Sequence, residues 1–299
     1  ENTSAVFAGT FDGRGHVIKG IYIKETAKLY NGLFPALSIN ATVKNLGIAD
    51  SYICGNAKAG NYTGALAGLR TASTSGNGVK IQSCYVDKDV TVEGDYASGL
   101  ISKVQQKLSI ENCYSKASVT GTADSALFVA EAASTTVSID IKYCYSSVAG
   151  VPLVTAKAAS KITYSDSYSV YSSLPGLAKL TLEQMTGEAA KQNMRSLDFS
   201  NTWKVKENDT PILVAFSPVV LDIEVWNGSV AAGFASGSGT ADDPWIISNA
   251  AELAYLASIS TGWNTNNGKY FKLTNDIYLN DVSDPNWYSG TNLNSWMLK

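Results

Sequence analysis

The sequence predicts an all-β protein in which short strands stack as the coils of a parallel β-helix, also called a solenoid. A five-residue apolar element recurs along the chain, and its clearest copies end in Cys-Tyr at residues 81–85, 110–114 and 141–145. A small-residue segment that contains Leu follows most copies, so that the unit repeats about every 30 residues. The runs between the turns are short, β-branched or aromatic, and show no helical period.

The fourth position of the repeated element defines a predicted column of inward-facing side chains. Its residues are mostly small or apolar and recur at intervals of 23 to 38 residues. We expect them to lie above one another, because neighbouring strands are ~4.8 Å apart. This predicted structural ladder consists of Ile21, Leu46, Cys84, Cys113, Cys144 and Ser167.

Three of the four cysteines lie in this ladder, which bears on their chemistry. An even number of cysteines permits disulfides in a secreted protein. Side chains stacked in a parallel ladder, however, point the same way rather than toward each other, which is poor disulfide geometry. We predict that Cys84, Cys113 and Cys144 are reduced and buried, and that a serine there would bury a hydroxyl without a ready partner. No histidine accompanies them, so we expect neither a metal nor another cofactor.

Residues 1–177 are predicted to form the repeat coils, about six in number. The first copy contains a glycine-rich turn, where Gly13 and Gly15 can adopt positive φ angles at low cost. The pattern changes near residue 180, where Thr181 and Gln184 form a helical capping box. We predict that residues 178–216 cover the C-terminal end of the stack, because an open end exposes strand edges and apolar core.

Residues 217–224 are predicted to be a linker, and residues 225–299 a second capping unit. Asn249 and Glu252 form another capping box, ahead of a helix that carries Leu253, Leu256 and Ile259 on one face. Strand-like runs follow at residues 270–274 and 276–279. This order predicts an N-terminal-cap-like segment with a helix and the first coil of a β-helix.

These motifs resemble the GLUG-motif repeat family of large bacterial surface and secreted proteins. The matching segments are residues 9–18, the Asn/Ser-Cys-Tyr triplets and residues 64–68, together with residues 239–244, 249–259 and 273–279. The resemblance implies a right-handed parallel β-helix with short helical capping segments. It also implies a secreted or cell-surface, adhesin-like setting, and it carries over no catalytic residue.

In the GLUG-motif pattern, the segment found at the end of this chain is normally followed by the motif with which this chain begins, at residues 7–13. We therefore predict that residues 225–299 cover the N-terminal end of a β-helix, either the chain's own or a neighbour's. The linker of residues 217–224 spans about 26 Å at ~3.3 Å per residue. A return along six coils needs roughly 24–29 Å, which the linker can barely span. We therefore expect residues 225–299 to cover the β-helix of a neighbouring molecule. This predicts head-to-tail self-association through residues 225–299.

Composition and the placement of tyrosines limit the kinds of partner that the protein can bind. The net charge is -3 and the sequence has no run of basic residues, so we do not expect the protein to bind nucleic acid. No apolar run reaches the ~18 residues of a transmembrane segment. Tyr85, Tyr114, Tyr145 and Tyr168 follow the ladder position and should face the opposite way. They are the candidate binding residues if they form an exposed aromatic ladder for sugar rings; alternatively a turn covers them, or they strengthen the sheet through same-face contacts.

The prediction is a bacterial secreted or cell-surface protein with a structural or adhesive role, whose partner is a glycan or a host surface protein. The alternative is a carbohydrate-active β-helix enzyme, either a polysaccharide lyase or a glycosidase. Glycosidases place two carboxylates across a cleft, and Glu111 and Asp140 are the candidates. Acidic residues on a solvent-exposed face explain Glu111 and Asp140 more simply. His16 and the Asp242-Asp243 pair are predicted to be structural residues of turns. We therefore predict that the protein is not an enzyme.

Overall fold

The computed structural model describes residues 6–24, 27–38, 40–55, 60–71, 78–133, 137–156, 161–216, 224–261 and 265–296. The strands up to residue 70 are β1 (Val6–Phe7), β2 (Thr10–Lys19), β3 (Tyr22–Lys24), β4 (Tyr30–Asn31), β5 (Phe34–Leu37), β6 (Thr42–Ala49), β7 (Ser51–Cys54), β8 (Tyr62–Gly64) and β9 (Ala67–Arg70). Those from residue 79 to 132 are β10 (Val79–Gln82), β11 (Tyr85–Val86), β12 (Val90–Ser98), β13 (Ile101–Val104), β14 (Leu108–Glu111), β15 (Tyr114–Ser115), β16 (Ser118–Ala126) and β17 (Val129–Ala132).

The second half of the chain adds shorter strands and two helices. The strands from residue 138 to 213 are β18 (Ser138–Lys142), β19 (Tyr145–Ser146), β20 (Val154–Ala156), β21 (Lys161–Ser165), β22 (Ser167–Ser169), β23 (Leu177–Lys179), β24 (Trp203–Lys206) and β25 (Asp209–Leu213). The last are β26 (Trp245–Ile247), β27 (Tyr270–Leu273) and β28 (Ile277–Tyr278). Helices are α1 (Glu188–Asn193) and α2 (Ala250–Ile259), with 3-10 turns at Glu183–Met185 and Trp287–Ser289.

Within the described residues, three parallel sheets form the body of the molecule. Sheet A has the spatial order β1-β5-β9-β13-β17-β20. Sheet B contains β2, β6, β10, β11, β14, β15, β18, β19, β21, β22, β23, β26, β27 and β28. Sheet C contains β3, β4, β7, β8, β12 and β16. The chain passes from B to C to A, so strands pair with their counterparts one repeat further along. The predicted all-β class with parallel pairing is confirmed.

The register between repeats keeps equivalent side chains in columns. Ile81 pairs with Ile110, and Ile110 pairs with Ile141. All three are 1% exposed or less. Identical β-branched side chains therefore contact one another along the stack, which is the same-face packing that stabilises sheets. The principal core is continuous from Ile247 at one end to Leu177 at the other.

A left-handed residue turns each ladder side chain inward. Asn45, Ser83, Asn112, Tyr143 and Asp166 all have φ between 50° and 55°, and each directly precedes a ladder residue. This single residue interrupts the alternation of the strand, so that the next side chain points into the core again. Asn and Asp tolerate the conformation because their short polar side chains bond locally, whereas a tyrosine there carries a steric cost.

The register corrects the first member of the ladder. His16 pairs with Leu46, and Tyr85 pairs with Gly47, so Cys84 lies beside Leu46 and His16 takes the place predicted for Ile21. The register shifts between Asp12 and His16, where the first repeat has three residues against one in the next. The spacing of apolar residues in the sequence does not reveal these extra residues. Ile21 is still buried, but it precedes the pair Tyr22 and Tyr52 and so belongs to the start of sheet C.

Residues 224–296 stack ahead of the first repeat of the same chain. Phe271 in β27 pairs with Phe11 in β2, Ile277 in β28 pairs with Ile18, and β26 pairs in turn with β27. The segment thus covers the N-terminal end of a stack, and that stack is its own. The expectation that it would cover a neighbouring molecule is wrong for this structure.

The helix of this segment begins where the sequence indicates. Asn249 Oδ1 accepts the Glu252 amide at 2.9 Å, and Glu252 Oε2 accepts the Ser248 amide at 2.6 Å. Leu253 and Leu256 are buried against the core, while Ile259 is half-buried. The helix therefore seals the stack with one apolar face.

Residues 178–216 were predicted to cover the C-terminal end, and only their first part stacks there, since β23 pairs with β22. Residues 181–216, here called the strap, do not lie across that end. The Thr181–Gln184 capping box is present, with backbone-to-side-chain hydrogen bonds of 2.9 and 3.3 Å. The turn that it begins ends at Met185, and α1 starts afresh after Gly187. The strap then packs along the outer face of sheet B, and at Gly15 a Cβ atom would collide with the carbonyl of Ala215.

This path explains why the estimate of linker length failed. The strap carries the chain from the last repeat back to the first, because Ala215 already lies beside Gly15. The following segment therefore starts near the first repeat, and it does not have to span the whole stack.

Candidate functional site

The buried cysteine ladder is a structural feature. Cys84, Cys113 and Cys144 are 1% exposed or less, and all four cysteines are free thiols. The Cys84 amide donates to the sulfur of Cys113 at 3.4 Å, and the Cys113 amide donates to that of Cys144 at 3.3 Å. Burial raises the pKa of the Cys84 and Cys113 thiols well above the usual range. Such neutral thiols are poor nucleophiles and poor metal ligands.

The ladder ends in a serine that fits the same site. Ser167 is 1% exposed, and its Oγ accepts the Cys144 amide at 3.2 Å while donating to the Ser165 carbonyl at 2.9 Å. A hydroxyl in this column therefore has a partner two residues earlier in the chain. The expectation of an unsatisfied hydroxyl does not hold for Ser167.

The four predicted binding tyrosines occupy one column on the other side of sheet B. The rings of Tyr85 and Tyr114 stack with centroids 5.1 Å apart, and those of Tyr114 and Tyr145 with centroids 5.2 Å apart. Tyr168 continues the column through its pairing with Tyr145. We call these four residues the tyrosine ladder.

The strap covers the tyrosine ladder, so these residues do not form an exposed aromatic ladder, and the alternative in which they are covered matches the structure. Tyr114 is 3% exposed and Tyr145 is 0% exposed. The indole of Trp203 lies 5.5 Å from the Tyr145 ring, and the ring of Phe216 lies 4.7 Å from that of Tyr85. Burial accordingly raises the pKa of Tyr114 and Tyr145 far above the ordinary value. The ladder is the floor of a second hydrophobic core.

Polar contacts hold the strap in register over the ladder. Trp203 Nε1 donates to Asn112 Oδ1 at 3.3 Å, and the Tyr145 hydroxyl donates to the Pro211 carbonyl. The Asp209 carboxylate forms ion pairs with Lys116 Nζ at 2.8 Å and with Lys206 Nζ at 2.9 Å. Burial opposes ionisation of Asp209, yet these two lysines hold its pKa well below the usual range.

The two candidate catalytic acids lie in different columns. Glu111 pairs with Gln82 and Lys142, and Asp140 pairs with Ser109. The neighbour of each acid in its column is therefore not the other acid. In the part of the chain that the structure describes, no group of three or more His, Cys, Asp or Glu could hold a metal ion.

His16 and Asp276 fix the join between the first repeat and the segment that covers it. Asp276 Oδ1 lies 3.1 Å from His16 Nδ1 and accepts the Val17 amide at 3.0 Å. Asp243 makes a comparable turn, since its carbonyl accepts the amides of Ser238 and Gly239. The turn roles predicted for His16 and for the Asp242-Asp243 pair match these contacts.

Asp89 lies at a corner between repeats. Its Oδ1 accepts the Asp50 amide at 2.9 Å, and Asp50 in turn pairs with Lys19 at 3.1 Å. Burial raises the pKa of Asp89 to about 6, and the charges of Asp50 and Asp87 act in the same direction. These contacts make Asp89 a turn-forming residue.

An aromatic group on the outer face of sheet C escaped the sequence analysis. It consists of Tyr22, Tyr52, Trp287 and Tyr288, and we call it the outer aromatic group. The Tyr52 and Tyr288 rings are parallel with centroids 4.9 Å apart, and Trp287 meets Tyr22 edge-on at 6.2 Å. Tyr288 is 38% exposed. Tyr22 and Tyr52 each follow their ladder residue by six positions, but the assignment of Ile21 to the ladder hid this shared spacing.

A cleft lies at the end of the stack that residues 224–296 cover. Its volume is about 500 Å³, and it separates α2 from the segments around residues 226–230 and 293–296. We call it the head cleft; its main apolar lining residues are Trp226, Val230, Ala254, Ala257, Leu293 and Trp296. Trp296 is buried, and its Nε1 donates to the Leu33 carbonyl at 3.2 Å, so the cleft has a rigid wall.

Comparisons with protein families, curated proteins and solved structures gave no match to this sequence. Across the described residues, no helix is both long and apolar enough to cross a membrane.

Proposed function

We propose that this chain is a right-handed parallel β-helix unit of a secreted or cell-surface bacterial protein, with a structural or adhesive role. The sheet order supports the architecture, since each repeat visits sheets B, C and A before pairing with the next. Right-handedness follows from the general preference of parallel crossover connections, about 98% of which are right-handed. The GLUG-type motifs support the family assignment and the surface setting.

The rigidity of the stack supports a structural role. Its core runs without a break through the repeats, and a second core under the strap braces the outer face of sheet B. Both cores link repeats that lie far apart in sequence. Such a unit resists bending and keeps its remaining outer faces in a fixed arrangement.

The outer aromatic group is the observation that carries the adhesive part of the proposal. The strap occupies the face of sheet B, whereas on the face of sheet C Tyr288 is exposed and Tyr22 and Tyr52 are only half-buried. Aromatic rings with a polar tip suit glycan partners, because the apolar ring packs against sugar C–H groups while the hydroxyl forms hydrogen bonds. The partner proposed is therefore a glycan, either free or on a host surface protein.

A glycan array with matched tyrosine variants tests this proposal. We expect the wild-type protein to retain one glycan class and Tyr288→Ala to lose at least tenfold in affinity. Tyr171→Ala is the control, because Tyr171 is similarly exposed, at 43%, but lies outside the outer aromatic group. Equal binding by wild type and Tyr288→Ala, or no binding to any glycan, would rule out the adhesive face.

The same glycans decide between binding and catalysis. We propose binding without turnover, so incubation with acidic and neutral polysaccharides should release neither reducing ends nor unsaturated products. Product release that Glu111→Gln abolishes would instead establish the carbohydrate-active enzyme.

A further inference from the structure

At the end of the stack opposite the head cleft, the described residues leave strand edges without a strand partner. Within the described residues, β21 pairs only with β18, and β20 pairs only with β17. Each of these strands therefore has one edge without a strand partner. Open edges of this kind are sites of association unless something covers them.

Apolar side chains at this end are more exposed than their counterparts in the previous repeat. Val154, Ile162 and Tyr164 are half-buried, whereas the residues that pair with them, Val129, Ile139 and Ile141, are 1% exposed or less. Leu174 lies beyond the last strand through its bridge to Leu177, and it is 49% exposed. We call Val154, Ile162, Tyr164 and Leu174 the tail surface.

The head cleft offers a complementary apolar surface at the other end. It is concave, and Val230 on its rim is 56% exposed. Trp226 meets Trp296 at 5.7 Å with an interplanar angle of 67°, which gives the cleft an indole wall. Large buried aromatics around a concave site are typical of the centres of protein interfaces.

Charge distinguishes the two ends and indicates the occupant. Residues 224–296 contain seven acidic and two basic residues, which gives a net charge of -5. The described residues of the last repeats, 137–156 and 161–182, contain three lysines and two aspartates, which gives +1. The head of one molecule therefore attracts the tail of another, while two heads repel each other.

We propose that copies of this chain associate head to tail, with Leu174 and its neighbours on the tail surface of one copy inserted into the head cleft of the next. This contact joins preformed surfaces and leaves the pairing of β27 with β2 intact within each molecule. It is heterologous, since the two partners use different surfaces, and its repetition builds an open chain of molecules. Salt weakens the contact, because it screens the opposite charges of the two ends.

The test measures molar mass by sedimentation across a concentration series of the complete chain, for wild type and three variants. Val230→Glu changes the head cleft and Leu174→Glu changes the tail surface. Val214→Glu is the control, because Val214 is 40% exposed but lies on the strap. All three positions are exposed, so the variants should fold, and thermal unfolding of each checks this. We expect each end variant to raise the dissociation constant at least tenfold and the control to leave it unchanged.

A mixture of the two end variants gives the sharpest result. Val230→Glu keeps an intact tail and Leu174→Glu keeps an intact head, so an equimolar mixture should form heterodimers that cannot grow further. Loss of association in the tail variant alone would indicate a tail-to-tail contact and overturn the proposal. A wild-type protein that stays monomeric up to about 1 mM would overturn it as well, as would a mixture that stays monomeric.

Discussion

Replacing Trp203 with alanine removes the side chain through which the strap grips the tyrosine ladder. The indole is fully buried, and its ring lies 5.5 Å from that of Tyr145 and 6.1 Å from that of Tyr114. A buried tryptophan replaced by alanine costs about 3–5 kcal/mol, which includes the cavity left behind. Two aromatic contacts and the hydrogen bond to Asn112 are lost together. We therefore expect a loss in the upper half of that range, about 4–5 kcal/mol.

The loss should be local to the strap, because Trp203 belongs to the second core rather than the principal one. Native-state hydrogen exchange separates the two, since it reports the opening free energy of each segment. The opening free energy of amides in β24 and β25 should fall strongly, while that of amides in β10 and β14 should change little. Trp287→Ala is the matched control, because Trp287 is only half-buried in the outer aromatic group. A loss below about 1.5 kcal/mol in β24 and β25 would refute the bracing role of the strap.

Two further predictions concern the ladder and the strap. Cys113→Ser should cost less than about 1.5 kcal/mol, because the Glu111 carbonyl lies 3.2 Å from the sulfur and can accept the new hydroxyl as Ser165 does from Ser167; a loss above about 3 kcal/mol in urea unfolding would contradict this. The pKa of Asp209 is lower in the folded protein than its ordinary 3.8, so its contribution is complete above that value and is lost as pH falls below it toward the folded pKa. The opening free energy of the strap amides, taken from exchange rates divided by the intrinsic rate at each pH, should therefore fall below about pH 4. Asp209→Asn should lower this opening free energy at neutral pH and remove most of its acid dependence. An unchanged acid dependence in the variant would show that other carboxylates govern it.

The columns of the stack were predictable because they depend on local chemistry. A repeated Ile-x-x-Cys-Tyr element places Ile110 and Cys113 inward and Tyr114 outward, whatever surrounds the strand. The capping boxes at Thr181 and Asn249 were predictable for the same reason, since each joins residues three apart. The first ladder member was not, because two extra residues before His16 change the register without changing the apolar pattern.

The fate of the tyrosine ladder shows where local reasoning stops. Alternation along the strand correctly puts Tyr114 and Tyr145 on the outer face, but it cannot tell whether that face meets water. Trp203 lies 89 residues after Tyr114 and 58 after Tyr145, and it packs over both rings. The outer aromatic group has the same origin, since Tyr288 joins Tyr52 from a distant segment.

By itself, the sequence determined the repeat, the direction that each side chain faces and the all-β class, because these follow from strand periodicity and from turn residues within one repeat. The tertiary structure alone decided that residues 224–296 cover the chain's own first repeat and that the strap covers the tyrosines. Both outcomes depend on the path of the chain between distant segments. That path is set by which large apolar surfaces can be buried together, and this is a property of the whole fold rather than of any stretch within it.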